Sequence, residues 1–213
     1  MPSEDLTGES ADQMSAFLAL NDSDPEVRMQ NVGVVKDLDV LGQIAQSDDD
    51  ESIRLIAVRK IKDQQTLFEV ARRDRDAAVR LGAVKRIKDQ GLLEQLAIPP
   101  RADVCVAAMD KLIDEDRLVE IACDQDLGVG LDPALARKIR RGALDGIRDE
   151  ERLVDLALDI GNGPRADSWL KQEAIERICR PSYLQRIIDE STESDVLWTA
   201  SQRQSSILRR INR

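Results

Sequence analysis

The sequence contains no histidine and few aromatic residues, and both absences limit what the chain can do. Without histidine, neither Ser-His-Asp nor Cys-His catalysis, nor a histidine-ligated zinc site, can be built from this chain alone. Aromatic residues make up only 2% of the chain, whereas β-strands favour aromatic and β-branched side chains. The composition therefore favours helices with a core of Leu, Ile, Val and Ala, and it carries no catalytic signature.

Cysteine is scarce as well, with three residues at Cys105, Cys123 and Cys179. An odd number without a C-x-x-C pair indicates neither a disulfide framework nor a zinc or redox site. We expect three reduced thiols and hence a cytoplasmic location. No stretch approaches the roughly 20 apolar residues needed to span a bilayer, and residues 1–5 lack the features of a signal peptide. We therefore expect no membrane association.

An internal repeat is the strongest signal in the sequence. Residues 53–64 read IRLIAVRKIKDQ and residues 79–90 read VRLGAVKRIKDQ. Four further copies begin near residues 27, 104, 139 and 170. If the first residue of each copy is position 0, apolar residues recur at positions 5, 8, 14 and 17 of all six copies, and alanine recurs at positions 4 and 18 of most of them. Positions 0, 4, 5 and 8 share one face of a first helix, and positions 14, 17 and 18 share one face of a second helix.

An aspartate stands between the two helices in five copies: Asp37, Asp63, Asp89, Asp114 and Asp149. We predict that each one caps the second helix of its copy. Helices this short are marginal in isolation, so they must stack on their neighbours. The sequence predicts an all-α fold, an α-α superhelix of about six helix-pair repeats with terminal capping helices. We expect a single solenoid over residues 10–213, closed by a cap at residues 196–211, after a disordered N-terminus at residues 1–9.

The repeat pattern V-R-x-x-A-V-x-R-I-x-D-Q-x-x-L-x-x-I-A resembles the bacterial HEAT-like repeats of the phycobilisome-lyase type, which are armadillo-like α-solenoids. The resemblance covers roughly residues 24–190 and concerns the repeat rather than a function. Members of the wider HEAT family are mostly protein-binding scaffolds, while a minority bind nucleic acid or act on DNA, and some assist chromophore attachment. The pattern is also similar to the leucine-rich variant repeat, but the cysteine cluster that holds the iron–sulfur centre of that family is absent here.

The same resemblance implies that the second helices line a concave face, with positions 15, 16 and 19 pointing outward. An apolar stripe bordered by charges at these positions is what a partner-binding surface needs. The candidate partner-binding residues are Phe68, Arg72, Glu94, Ile98, Val119, Glu120 and Val154. The alternative is that these side chains pack against loops or neighbouring helices.

Basic residues recur at position 1 of the first helix: Arg28, Arg54, Arg80, Arg140 and Lys171. They form either a ladder of charge pairs with the aspartates at the repeat turns or a basic stripe for phosphates. The net charge of −10 opposes general binding to nucleic acid, because that affinity depends on neutralising phosphates.

Carboxylates also cluster between Asp124 and Asp132, but this loop lacks the glycine and glutamate that an EF-hand places at its sixth and twelfth positions. We therefore predict no metal site, and no cofactor is implied. The acidic run at residues 48–51 is better explained as the N-terminal cap of a helix.

The leading functional hypothesis is a non-enzymatic scaffold that presents the concave face of a HEAT-like solenoid to a protein or peptide. One alternative is a nucleic-acid-binding HEAT protein, with base processing as an option, in which Trp169 and Trp198 would stack bases. Another alternative is an accessory, lyase-like helper of a cofactor-bearing protein.

Overall fold

The computed structural model of the protein describes residues 5–98, 101–124, 132–160 and 166–211, and every regular element in these ranges is an α-helix. The fourteen helices in this part of the chain are α1 (Asp5–Asn21), α2 (Pro25–Val34), α3 (Leu38–Ser47), α4 (Glu51–Lys60), α5 (Gln64–Arg73), α6 (Ala77–Arg86), α7 (Gln90–Leu96), α8 (Ala102–Met109), α9 (Glu115–Cys123), α10 (Pro133–Gly146), α11 (Glu150–Leu158), α12 (Ser168–Arg177), α13 (Pro181–Glu190) and α14 (Ser194–Ile211). The prediction of an all-α fold is confirmed.

The helices from α2 to α13 reproduce the six predicted helix pairs, and the buried positions agree with the periodicity. All six residues at each of positions 5, 8, 14 and 17 are buried, and so are the repeated alanines at positions 4 and 18. The core consists of these aliphatic side chains, so each short helix is held by its neighbours. The helix α14 begins at Ser194, close to the predicted cap.

Most of the helices have an aspartate as their N-cap residue. Each of the five aspartates at the repeat turns accepts a hydrogen bond from a backbone amide in the first turn of the following helix, as predicted. Asp50 caps α4 in the same way, by accepting from Ser52 and Ile53. The sixth copy has no aspartate, and α13 begins instead at Pro181, which suits the first helical position because its missing N–H is not needed there.

The chain divides into two compact units, Met1–Ala108 and Met109–Arg213. In the first unit the closest helix pairs are α1 with α2, α3 with α4, and α5 with α6. In the second unit they are α9 with α10, α11 with α12, and α13 with α14. The closest packing therefore joins the second helix of one copy to the first helix of the next, and α1 supplies the half repeat that α2 needs.

The structure differs from the predicted domain boundaries at the N-terminus. The predicted disordered N-terminus covers residues 1–9, of which residues 1–4 lie outside the described residues and residues 5–9 belong to α1. The chain divides into two compact units, and the single solenoid over residues 10–213 stays a prediction. Most of the carboxylate loop, residues 125–131, also lies outside the described residues.

Among the described helices, none is both long and apolar enough to cross a bilayer.

Candidate functional site

A buried arginine at position 1 of the first helix is the most repeated polar feature of the structure. Arg54 on α4 is only 2% exposed. Its Nε and Nη2 atoms donate to the two carboxylate oxygens of Asp74 at 2.8 and 3.1 Å, and Nη2 also pairs with Asp76. Its Nη1 donates to the backbone carbonyls of Asp48 at 2.8 Å and Asp49 at 3.2 Å. Since Asp48 follows α3 and Asp74 follows α5, one guanidinium ties the ends of two second helices to α4.

The same arrangement recurs in other copies, and we call it the arginine ladder. Arg28 donates from Nε to Asp48 at 2.9 Å, and Arg80 donates from Nε to Asp103 at 3.0 Å. In the second unit, Nη2 of Arg140 lies 2.8 Å from Asp167, although the two groups are not aligned as a hydrogen bond. These charged groups are largely removed from water, and each pair ties helices of neighbouring copies together.

The ladder uses different aspartates from those predicted. The turn aspartates cap the second helices, whereas the ladder partners lie near the junction of a second helix with the next first helix. Asp48 and Asp74 follow α3 and α5, Asp103 lies in the first turn of α8, and Asp167 caps α12. The reason is distance along the helix: Arg54 lies at the beginning of α4, and the turn residue Asp63 follows its end, about 14 Å away at 1.5 Å per residue. The end of a preceding or following second helix is closer. The hydrogen bond to Asp74 raises the pKa of Arg54 above its ordinary value, in spite of burial, so this charge is permanently paired.

The last copy replaces the arginine with Lys171, which is also buried. Its Nζ donates to Asp159 at 2.6 Å and to Glu193 at 2.5 Å. Burial by itself would lower the pKa of Lys171, but these two hydrogen bonds raise it above its ordinary value. Asp159 follows α11 in the left-handed region, at a φ of 54°, where Asp is tolerated better than most residues. The ladder residues thus have structural partners and are not a stripe open to phosphates.

Three of the seven candidate partner-binding residues lie together in the first unit. Phe68, Arg72 and Ile98 line one groove, which we call the α5–α7 groove. Arg72 is exposed, and Ile98 is 47% exposed. Glu94, the fourth candidate in this unit, is half-buried on α7 and is not among the described residues that line the groove.

The remaining three candidates belong to the second unit. On α9, Val119 is half-buried, and Glu120 is exposed and accepts from Arg117 at 2.5 Å. Val154 on α11 is fully buried, at 0% exposure. Glu120 is therefore engaged by its own helix, and Val154 is part of the core.

The predicted outward orientation is wrong for Phe68 and Val154, the two candidates at position 15 that are buried. Phe68 is only 4% exposed. The second helices contact the next first helix as well as neighbouring second helices, so their buried face is wider than positions 14, 17 and 18 alone indicate. Position 19 does face outward in the first unit, at Arg72 and Ile98. The role of these residues in partner binding stays a prediction.

The α5–α7 groove has a volume of about 700 Å³ and an apolar floor. Its apolar lining consists of Phe68, Ala71, Leu96, Ile98 and Val104. Its polar lining consists of Gln95, Arg72, Arg73 and Arg101. Sequence reasoning assigned Leu96 to the core and did not consider Arg73, Arg101 or Val104 as site residues.

The groove lies where the regular packing is interrupted. The helix α7 has 7 residues, whereas α3 and α5 have 10 each. Pro99 and Pro100 follow Ile98 in the sequence, and proline neither continues a helix nor allows the residue before it to do so easily. The Pro-Pro pair was thus the sequence signal for this opening.

A second cavity in the first unit provides a contrast. It has a volume of about 400 Å³, lies between the ends of α3 and α5, and is lined mainly by polar residues, including the ladder residues Arg54 and Asp74. Its charged groups already lie within ion-pair distance of one another or of neighbouring side chains. The α5–α7 groove instead combines exposed apolar surface with cations, so it is the better candidate for a binding site.

The arginines of the groove differ in their partners. The Arg72 guanidinium lies over the Phe68 ring, 5.8 Å from the ring centroid, within the range of a cation–π interaction. Arg73 Nε lies 3.0 Å from Glu69 Oε2, although the pair is not aligned as a hydrogen bond. Neither Arg72 nor Arg101 lies within ion-pair distance of a carboxylate among the described residues.

The described lining of the groove contains no cluster of nucleophilic or metal-binding side chains. Burial raises the pKa of Cys105 and of Cys123 to about 11, so both thiols are protonated at neutral pH and are poor nucleophiles. Among the described residues, no three Cys, Asp or Glu side chains cluster in a way that could hold a metal ion. The arrangement at the groove is suited to binding by contact and charge.

The two tryptophans considered for base stacking have different environments. Trp169 is half-buried, with the guanidinium of Arg140 at 5.1 Å and that of Arg141 at 5.9 Å from its ring. Trp198 on α14 is 68% exposed. Because two arginines already occupy the neighbourhood of the Trp169 ring, Trp198 is the better placed of the two to meet a base.

The described residues form an all-α, repeat-like fold with a partly apolar, arginine-lined groove. No family model, curated protein or solved structure matches the chain.

Proposed function

We propose that the protein is a non-enzymatic interaction scaffold, a HEAT-like solenoid of the bacterial cytoplasm, that binds a segment of another protein through the α5–α7 groove. The observation that carries this proposal is the apolar floor of the groove, of which Ile98 is 47% exposed. Covering such a surface removes apolar area from water, which is the main driving force of association. Three of its lining residues, Phe68, Arg72 and Ile98, are among those that the resemblance to HEAT-like repeats implies for partner binding.

The composition of the groove supports a protein partner. Interfaces combine an apolar centre with a polar rim, and arginine and aromatic residues are enriched in them. Here Ile98 supplies exposed apolar surface, and Arg72, Arg73 and Arg101 supply cations in the same lining. Three free thiols, at Cys105, Cys123 and Cys179, agree with a reducing compartment.

The nucleic-acid alternative has weaker support. The position-1 arginines that suggested a phosphate stripe are paired in the arginine ladder. The overall charge of −10 repels phosphates as well. No observation favours the accessory, lyase-like role over the role as a scaffold.

Ile98→Glu tests the proposal, because it places a carboxylate on the apolar floor at an exposed position and leaves the core intact. The immobilised full-length chain is used to capture proteins from the native cell, and each captured protein is quantified. Val34→Glu on α2 is the matched control, since Val34 is 56% exposed and lies away from the groove. We expect Ile98→Glu to reduce capture of the partner about tenfold or more, while Val34→Glu retains it. Equal capture by all three chains would contradict the proposal.

A further inference from the structure

The charge of the α5–α7 groove is unusual for this chain. The chain has 41 acidic and 31 basic residues, yet among the described residues that line the groove three are arginines and none is acidic. Most buried arginines of the structure are paired in the arginine ladder. The groove is therefore a local concentration of positive charge on an acidic protein.

Two of these arginines are available to an incoming anion. Arg72 and Arg101 have no ion-pair partner among the described carboxylates, whereas Arg73 lies beside Glu69. The Phe68 ring beneath Arg72 restricts the positions that its guanidinium can take. A guanidinium presents a planar fork of donors that fits a carboxylate with two parallel hydrogen bonds.

The cations stand beside apolar surface rather than beside other polar groups. Leu96 and Ile98 form the floor next to them. A partner that covers this floor excludes water from the neighbouring arginines, and an ion pair is stronger where the surroundings are less polar. Apolar contact and charge pairing are therefore expected to reinforce each other in the same ligand.

From this geometry we infer that the groove binds an acidic segment of the partner protein. The segment places one apolar side chain against Ile98, which is the exposed apolar residue of the described lining, and flanking carboxylates on Arg72 and Arg101. A volume of about 700 Å³ falls within the roughly 300–1,000 Å³ typical of ligand pockets, so it accommodates a bulky side chain with adjoining backbone. This inference rests on the proposed function and specifies the chemistry of its partner.

A nucleic acid would bring negative charge as well, but the groove does not suit one. Single-stranded nucleic acids bind through aromatic rings on which bases stack. The one aromatic ring of the described groove lining belongs to Phe68, which is 4% exposed. The groove thus offers aliphatic contact and cations without a stacking surface.

The test is selection of peptides from a random display library on the immobilised full-length chain. We expect the enriched peptides to carry net negative charge and at least one Leu, Ile, Met or Phe. A selected peptide is then synthesised with a fluorophore, and its affinity is measured by anisotropy. We expect Arg72→Ala and Arg101→Ala each to weaken binding about fivefold, the upper range for an exposed ion pair, and added salt to weaken it further. Arg59→Ala is the control, since Arg59 is an exposed arginine of α4 outside the groove.

The outcomes separate this inference from the proposed function. Enrichment of neutral or basic peptides, no enrichment at all, or equal effects of Arg59→Ala and Arg72→Ala would overturn the acidic segment. If capture of the native partner still depends on Ile98 in any of these cases, the scaffold stands and only the chemistry of its ligand is wrong. Binding of oligothymidylate that is tighter than that of the selected peptide and is lost in Arg72→Ala would assign the groove to nucleic acid instead.

Discussion

Removing one arginine of the arginine ladder tests how the repeats are held together. Arg54→Ala deletes the guanidinium that joins the ends of α3 and α5 to α4. The Asp74 carboxylate, whose side chain is only 4% exposed, then stays buried without its partner. Removing one member of a buried ion pair costs about 3–5 kcal/mol, because the other charge is left uncompensated. We expect Arg54→Ala to lower the free energy of unfolding by this amount.

The measurement is urea denaturation of the full-length chain followed by circular dichroism. Arg59→Ala on the same helix is the control, and as an exposed change it should stay within about 0.5 kcal/mol of the wild type. The double variant Arg54→Ala, Asp74→Asn should be more stable than the sum of the two single losses predicts, because the unpaired charge is gone. A loss below about 1 kcal/mol for Arg54→Ala, or additive effects in the double variant, would refute the stabilising role of the ladder.

Four further predictions follow from the burial of two side chains, from the capping of one helix and from the free space beside one glycine. Leu93→Ala should cost about 2–5 kcal/mol, because Leu93 is fully buried on α7 and its truncation leaves a cavity; a loss under about 0.5 kcal/mol in the same urea titration would contradict its place in the core. Phe68→Ala should cost about 3–5 kcal/mol for the same reason, and an unchanged unfolding midpoint would restore the outward orientation predicted from the repeat. Hydrogen bonds from the side chain and the backbone amide of Thr66 lower the pKa of Asp63 from its ordinary value of 3.8. A carboxyl with a lowered folded pKa stabilises the fold above its unfolded pKa and loses that contribution as the pH falls through the folded value. Wild type should therefore lose stability relative to Asp63→Asn, which caps without titrating, when urea titrations are repeated below pH 3.8; parallel curves would refute the role of this charge. Gly33→Ala should raise stability by about 0.4–1 kcal/mol, since an added Cβ meets no atom within 4 Å, and a lower melting temperature would contradict this.

The helical class, the six helix pairs and nearly all of the core can be predicted from the periodicity of the chain. These features depend on residues within one or two helical turns of each other: apolar positions recur at helical spacing, and an aspartate caps the next helix through its own first-turn amides. Asp63, for example, caps α5 whatever lies across from it. Such local rules are readable in a single copy of the repeat.

Which groups meet across copies depends on how the helices pack against one another. The partner of Arg54 is Asp74, 20 residues away, and not the aspartate at the turn of its own repeat. Phe68 is buried because its helix has neighbours on more than one side, which widens the buried face beyond the repeated apolar positions. The groove beside it brings together residues of α5, of the short α7 and of the chain around the start of α8. These properties depend on the distances between helices, which the periodicity of one helix does not contain.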